Sequence, residues 1–419
     1  MSKPKIAWVS HSPALLPVGQ SKVTREFCKR LYNDYDLTVV GLDHCEVEGM
    51  TFPYPIIGVP SGRDDLLVQV LQKLNPVAIV FSHDIWRFFC IAYPEGNQQG
   101  LKQLLPNTKF IGYFTIDGDP FHEAWFPILR CCEVLVTPSD YGKKVIQENY
   151  AQAPVAVVPF GVDITLFKPE DDKEQYKKSI DVDTEKLYKE TGVFPILLGG
   201  KFVCCFIGMN QNKKNIGAIV DNFAEFSKDK PDVFLVMVLH SSSRPQRSYV
   251  QKLDTDVQRI VKQTGLHDKC YIMEKSLPEE SLVRIYKFSD CLLYPSVGEG
   301  FGLQLLESMA CKCIPIVTDY TSLPELVGEG RGLKIKVGAF VRGPWDVRRA
   351  VVDEEDMISK MEYLYALWKF NKDLLKGYQE RGYEWAKTMT WDTSYAKMKQ
   401  VIDASLLNMD FVDTELEAV

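Results

Sequence analysis

No apolar run in this chain approaches the roughly 18 residues that a bilayer-crossing helix needs, which argues against a membrane-spanning protein. The start, Met-Ser-Lys-Pro-Lys, is polar and lacks the apolar stretch of a signal peptide, so a cytoplasmic location is expected. Cys-x-x-Cys is absent although there are 11 cysteines. Most of them sit in apolar strand- or helix-like runs, including the vicinal pairs Cys131-Cys132 and Cys204-Cys205, and they read as reduced core thiols rather than disulfides or zinc ligands. Repeats and low-complexity tracts are missing. So is a Gly-x-Gly-x-x-Gly fingerprint after the first strand-like run, where only Gly19 stands, and this disfavours a hydride-transfer dinucleotide enzyme. An excess of positive charge is missing as well: the formal net charge is −7, which argues against a nucleic-acid partner and leaves room only for a local basic patch.

What is present is length and apolar content. At 419 residues and 46% apolar composition the chain has room for two or three domains with real cores. Lys5-Ile-Ala-Trp-Val-Ser predicts a first strand, His11 to Gln20 a loop, Lys22 to Tyr32 a helix, and Leu37-Thr-Val-Val a second strand. This alternation predicts a doubly wound parallel α/β sheet, which binds ligands at the C-terminal ends of its strands. Those ends include the loop with Gly19, then His83, then Ile116-Asp117-Gly-Asp119, with His122 close behind. Glu170 to Glu190 is dominated by charge and reads as an interdomain insertion, with a helix and no chemistry. A second alternating series begins at Phe202-Val-Cys-Cys-Phe-Ile-Gly208 and includes the strand Val233 to His240. Val337 to Ala350, with Arg342, Trp345, Arg348 and Arg349, reads as an inserted surface loop, a lid or acceptor contact being the alternative. Met357 to Leu374 and Tyr378 to Lys387 read as helices. The helix Lys22–Tyr32 carries Lys22, Arg25, Lys29 and Arg30; a solvated charged face and contact with an anionic membrane are both open readings.

The most informative stretch is Glu299-Gly-Phe-Gly-Leu-Gln-Leu-Leu-Glu307. It lies between the apolar runs Cys291-Leu-Leu-Tyr and Cys313-Ile-Pro-Ile-Val, and its Leu305, Leu306, Met309 and Ala310 recur at helical spacing. A strand, a glycine loop and an amphipathic helix follow from that pattern. Gly300 and Gly302 permit a sharp turn and a close backbone approach, so the N–H groups of Phe301, Gly302 and Leu303 become available at a helix N-terminus, which suits a phosphate. Glu299 and Glu307 are acceptor-only carboxylates placed to take hydrogen bonds from sugar hydroxyls on either side of it.

Glu299 and Glu307, with seven residues between them and Pro295-Ser before them, resemble the E-x7-E motif of the retaining glycosyltransferases of family 4. The resemblance extends over nearly the whole chain, although only this motif is highly specific. It implies the GT-B fold: two Rossmann-like doubly wound parallel-sheet domains facing a cleft. Residues 1–170 would form the acceptor-side domain and residues 196–388 the nucleotide-sugar donor domain, with a helix in residues 391–419 crossing back onto the first. Val155-Ala-Val-Val-Pro-Phe-Gly161-Val-Asp163 resembles the segment that ends the first domain of such proteins, with Phe160 where asparagine is usual.

The same resemblance implies roles. Glu299 would lie near the transferred sugar, Glu307 would hold the ribose, and the backbone from Gly300 through Phe301 and Gly302 to Leu303 would meet the sugar-phosphate. Lys214 matches the lysine that contacts the donor diphosphate, with Lys213 adjacent, while Met209 stands where arginine is usual. Gln20 replaces the second of a usual glycine pair at Gly19, which is either a phosphate contact or a turn former. Asp117 stands in the slot of a usual histidine and would hold a hydroxyl or act as base. Asp117-Gly-Asp119 is also a conceivable divalent-ion pair, ranked below a turn or sugar contact. His240, at a strand end, is a structural residue or a base contact.

The expected activity is therefore transfer of a hexose, mannose as first choice, to a glycan or lipid-linked acceptor. The donor is a nucleotide sugar, GDP-mannose as first choice and a UDP-sugar as the alternative. No metal or cofactor is required. A sugar-nucleotide epimerase on the same fold and a non-catalytic nucleotide-sugar binding protein are the rival readings.

Overall fold

The computed structural model describes residues 2–15, 19–43, 50–60, 62–92, 99–150, 154–191, 197–240 and 255–409. Cys45 and the polar stretch Ser241–Gln246 lie outside them. The strands are β1 (Lys5–His11), β2 (Asp36–Leu42), β3 (Ile56–Val59), β4 (Ala78–His83), β5 (Lys109–Phe114), β6 (Val134–Thr137) and β7 (Val155–Val157), followed by β8 (Phe202–Met209), β9 (Val233–His240), β10 (Cys270–Met273), β11 (Cys291–Tyr294), β12 (Ile314–Thr318), β13 (Leu333–Ile335), β14 (Val337–Arg342) and β15 (Arg348–Val352). The helices of the first half are α1 (Gly19–Leu31), α2 (Asp64–Leu74), α3 (Leu101–Leu104), α4 (Phe126–Cys131), α5 (Asp140–Asn149) and α6 (Lys173–Thr191). Those of the second half are α7 (Ile216–Phe226), α8 (Val257–Thr264), α9 (Glu279–Phe288), α10 (Leu303–Ala310), α11 (Leu323–Val327), α12 (Glu354–Phe370), α13 (Lys372–Thr388) and α14 (Trp391–Leu407).

These strands form two parallel sheets, in the orders β3-β2-β1-β4-β5-β6-β7 and β10-β9-β8-β11-β12-β13. Their strands are continuous apolar runs, such as Val233–His240 and Ala78–His83, buried along their whole length; helices covering both faces demand this composition. In each sheet the order reverses beside the first strand, between β1 and β4 and between β8 and β11. Helices depart to opposite faces there, leaving a crevice beyond the strand ends. Successive strand residues point to opposite faces, so β1 divides its side chains between two cores. Ala7 and Val9 join a core made of first-lobe residues and Val347, whereas Ile6 and Trp8 join one that runs through the second lobe to Trp391.

The last helix, α14, explains that continuity. Its Trp391 ring lies 5.8 Å from Phe27 of α1 and 6.3 Å from Phe160. Val162 N–H donates to the Met389 carbonyl at 2.9 Å, and Arg30 Nε to Asp392 at 2.6 Å. A Cβ on Gly161 would stand 2.3 Å from the Trp391 nitrogen, so only glycine fits the crossing.

Three sequence readings are corrected, and a fourth, the helical charged insertion, is extended. Gly19 is the first residue of α1, not part of a loop. The run Met357–Leu374 is broken at Asn371, whose side chain accepts from Leu374 N–H and caps a new helix. The charged insertion holds α6, whose Lys177 is buried and donates to Asp290 at 2.7 Å, tying it to the start of β11. Val337–Ala350 is a β14–β15 antiparallel hairpin rather than a loose loop.

Trp391→Ala removes a buried side chain from the core that runs through both lobes, and a loss of about 3–5 kcal/mol of stability is expected in urea unfolding. A change under about 1 kcal/mol would show that α14 is only loosely attached.

Candidate active site

The site begins with two helix ends. Gly302, at φ +109, turns the chain into α10 and leaves its start without a side-chain cap; neither α10 nor α1 carries an acidic residue in its first turn. Leu303, the first residue of α10, approaches Gly19, the first of α1: a Cβ there would be 3.8 Å from Leu303 Cδ1. Both residues line a cavity of about 310 Å³ between the lobes, with Lys22, Arg25, His240, Gln304 and Glu307. Two positive helix ends thus meet at one cavity, an arrangement suited to an anion.

Each acid of the motif holds a lysine. Lys22 Nζ donates to Glu307 Oε1 at 2.8 Å and lies 3.2 Å from Glu279, which also pairs with Arg25 at 3.1 Å. The Tyr286 hydroxyl donates to Glu307 Oε2 at 3.2 Å. Burial alone would lower the Lys22 pKa, but Glu307 and Glu279 outweigh it and raise it. Lys22 is therefore a buried cleft residue rather than part of a solvated or membrane-facing surface. Arg30 is likewise engaged, by Glu26 and Asp392.

Glu299 accepts from Lys214, from Ser296 Oγ and, at 3.3 Å, from the Tyr294 hydroxyl. Burial pushes its carboxyl up, yet the charges of Lys214 and Lys213 win and hold it at about 2. Lys214 also donates to Tyr294 at 2.7 Å, so one of its three N–H donors remains for a ligand. Tyr286 was not singled out from sequence, whereas Tyr294 and Ser296 belong to the Tyr294-Pro-Ser296 run noted ahead of the glycine loop, without a role given to either side chain.

The glycine loop is built differently from the sequence reading. Gly300 faces the opposite lobe: a Cβ on it would meet Thr115 at 2.7 Å, and one on Gly298 would meet the Asp117 carbonyl at 2.2 Å. These two glycines serve contact between lobes, whereas Gly302 alone has the left-handed backbone. The Phe301 side chain is core, its ring 5.1 Å from Phe160. Ser322 Oγ donates to the carbonyls of Glu299 and Phe301, and the Glu299 N–H donates to Thr321 Oγ1 at 3.0 Å. The Thr321 and Ser322 hydroxyls therefore pin the loop.

At the other end of the cleft the hairpin reaches the first lobe. Arg349 pairs with Asp117 at 3.0 Å, and Arg348 holds Asp119 through two hydrogen bonds of 3.0 and 2.7 Å, with the Tyr320 hydroxyl adding a third at 2.9 Å. Val347 is buried in the first-lobe core beside Gly118. The Asp117-Gly-Asp119 carboxylates are thus bound by arginines, and Asp117 is a cross-lobe partner rather than a free turn residue. Burial raises the Asp117 pKa, with Asp84 adding to the effect and Lys213 and Arg349 opposing it. Met209 lies at the end of β8, where Gln211 contacts its sulfur at 3.7 Å. His240 is buried at the end of β9; burial lowers its pKa to about 4, so it is neutral at pH 7, and its Nδ1 has no hydrogen-bond partner among the described residues. His83 meets His11 edge-on with ring centroids 4.3 Å apart, and His122 Nδ1 accepts from Ala124 N–H at the start of a short 3-10 turn.

Two parallel Rossmann-like sheets meeting across such a cleft, with the terminal helix returning to the first, constitute the GT-B architecture. The comparisons agree. Residues 193–348 match the family model described as Glycosyl transferases group 1. Over 219 residues the chain is 26% identical to the lipopolysaccharide core biosynthesis mannosyltransferase LpsB of Rhizobium meliloti, covering 52% of this chain and 54% of that protein. It is 27% identical over 246 residues to a D-inositol 3-phosphate glycosyltransferase of Corynebacterium jeikeium, covering 56% and 53%. The chain spans about half the length of the curated relatives it matches. Among solved structures, a sucrose-phosphate synthase from Thermosynechococcus elongatus superposes with TM-score 0.70 at 15% identity, over 96% of this chain and 99% of that one. Anabaena HepE in complex with UDP and glucose does so with TM-score 0.70 at 13% identity, over 96% and 100%. Among the described residues no helix is long and apolar enough to cross a membrane.

The Glu299 pKa, lowered from 4.5 to about 2, fixes the sign of one pH effect. Stability from the Lys214 pair is fully present above the unfolded value and is lost as pH falls through the folded one. Lys214→Met should remove the part of the acid-side stability loss that falls between those two values, read as unfolding free energy against pH. An unchanged slope there would refute the pairing.

Proposed function

We propose that this protein is a retaining glycosyltransferase of the family-4 type. It moves a hexose from a nucleotide diphosphate sugar to a glycan or lipid-linked acceptor. The observation that carries this reading is an uncapped helix start at a cavity between the two lobes, with Glu307 lining that cavity and Glu299 in the loop that leads into the helix. Each acid already accepts from a lysine and from one or more hydroxyl groups, and a carboxylate has lone pairs left for a sugar hydroxyl.

In this reading the diphosphate lies against the starts of α10 and α1, where the N–H groups, Lys214 and Lys213 stabilise the charge that grows on the leaving group. Glu307 takes the ribose hydroxyls and Glu299 those of the transferred sugar. The bond from the anomeric carbon to the diphosphate oxygen breaks, and the acceptor oxygen bonds to the same face. The acceptor proton passes to the departing phosphate, so no protein nucleophile is needed. Asp117, held by Arg349, fixes a hydroxyl near the reacting carbon. Charge stabilisation comes from lysines and helix ends, and no cofactor is invoked.

GDP-mannose is the first-choice donor. Similarity to LpsB supports it, as does 43% identity over 53 residues to the O-antigen chain mannosyltransferase B of Escherichia coli, which covers 13% of this chain and 14% of that protein. A UDP-sugar is the alternative donor. Met209, in the slot of a phosphate-binding arginine, and Asp117, in the slot of a usual histidine, are the features that favour a nucleotide-sugar binding protein without turnover.

Glu307→Ala should weaken GDP binding roughly tenfold to a hundredfold in calorimetry, the loss of a charged hydrogen bond. Glu299→Ala should leave that affinity within about threefold and lower donor hydrolysis or transfer by roughly a hundredfold. Equal, negligible effects of the two would sink the site assignment. Tighter binding of UDP than of GDP would overturn the choice of base, and intact donor after prolonged incubation with varied glycans would favour the binding protein.

A further inference from the structure

The rim of the first sheet carries aromatic rings that the donor site does not use. Trp345, at the tip of the β14–β15 hairpin, lies 5.6 Å from Phe89, 5.2 Å from His122 and 5.9 Å from Trp125, measured between ring centroids. It belongs to the second lobe and its three ring neighbours to the first. Trp345 remains 39% exposed although it is held on these rings, and its backbone is in the left-handed region at φ +61. A bulky residue is strained in that conformation, so the position is kept for something other than local comfort. Trp86, on the 3-10 segment Ile85–Ile91 that also holds Phe89, is 41% exposed with its ring 6.5 Å from His83.

Carboxylates belong to the same rim. Asp84 precedes that segment and is 42% exposed; Thr115 Oγ1 donates to it at 2.9 Å. Asp117 is 30% exposed and oriented by Arg349, four residues after Trp345. Exposed indoles beside fixed carboxylates match the two surfaces of a sugar: C–H faces lie on rings, and hydroxyls donate to carboxylate oxygens.

We propose that Trp345 and Trp86, with Asp84 and Asp117, form an acceptor subsite for a neutral saccharide, assembled only when the hairpin of the second lobe lies on the first. The inference rests on the glycosyltransferase reading and adds the acceptor class: an uncharged glycan end, not a phosphate or a lipid headgroup. The hairpin is the specificity-determining element, because its Arg349 positions Asp117 while its tryptophan supplies a stacking face.

The test is a glycan array with neutral, sialylated and phosphorylated members, probed by the full-length protein saturated with GDP, or with UDP if that binds more tightly. The best ligand is then titrated by tryptophan fluorescence. Wild type should prefer neutral glycans, and Trp345→Ala and Trp86→Ala should each weaken that binding by roughly five- to tenfold. Trp345→Phe and Trp86→Phe, which keep a ring, should recover most of it. Nucleotide affinity by calorimetry should stay within about twofold in all four variants. Glycan binding that the alanine variants retain, a preference for phosphorylated members, or no glycan binding by the nucleotide-loaded wild type would each overturn the proposal. A wild type that binds no nucleotide would instead sink the glycosyltransferase reading beneath it.

Discussion

The Lys22–Glu307 ion pair is the contact on which the rest of the site depends. The two residues are 285 positions apart and belong to different lobes, yet they meet at 2.8 Å with both side chains buried. Removing two charges from water is costly, and the pair is sustained because its remaining valences are met: Glu279 holds the other side of the lysine and Tyr286 the other oxygen of the acid. Glu307 is also the carboxylate assigned to the ribose. In the proposed reading, closing the lobes and binding a nucleotide draw on the same group, which would give a ligand at Glu307 direct leverage on the distance between the lobes.

The other cross-lobe contacts follow the same logic of placing a charge opposite a group that needs it. Glu325, beside the loop-pinning hydroxyls, accepts from the Asp140 and Tyr141 N–H groups at the start of α5, at 3.1 and 2.5 Å. Burial raises its pKa to about 7 while those N–H groups oppose the shift. At the hairpin, two arginines face two aspartates. Between these anchors, Gly298 and Gly300 let the backbones of the two lobes come together where a single methyl group would collide. The loop that resembles a phosphate cradle is therefore also a bearing surface, and its dual use explains why glycine stands at three positions although only Gly302 needs the left-handed conformation.

The donor side and the acceptor side consequently differ in how they are made. The proposed donor side rests chiefly on one strand–loop–helix unit, with the α10 start, Glu299, Glu307 and the Tyr294 and Ser296 hydroxyls, joined by Lys213 and Lys214 after β8 and by the start of α1. The acceptor side is composite, with Asp84 and Asp117 from strand ends of the first sheet and Arg349 and Trp345 from a hairpin more than 200 residues later. A site divided in this way changes with hairpin sequence while the donor cradle stays as it is, in keeping with function carried by segments grafted onto a common architecture.

The amino-acid sequence alone determined the alternation of strands and helices, the glycine loop between two buried runs and the seven-residue spacing of Glu299 and Glu307. Each is a local pattern, in which hydrophobic period and glycine position specify an element without reference to distant residues. The break at Asn371 was legible in principle, since an asparagine inside a helical run is a capping signal. Only the tertiary structure decided the partners: that Lys22 lies buried on Glu307, that Gly300 touches Thr115, and that the hairpin closes on Asp117 and Asp119. Those facts arise from how two separately folded sheets meet, and no periodicity along one chain encodes which charge will face which across a cleft.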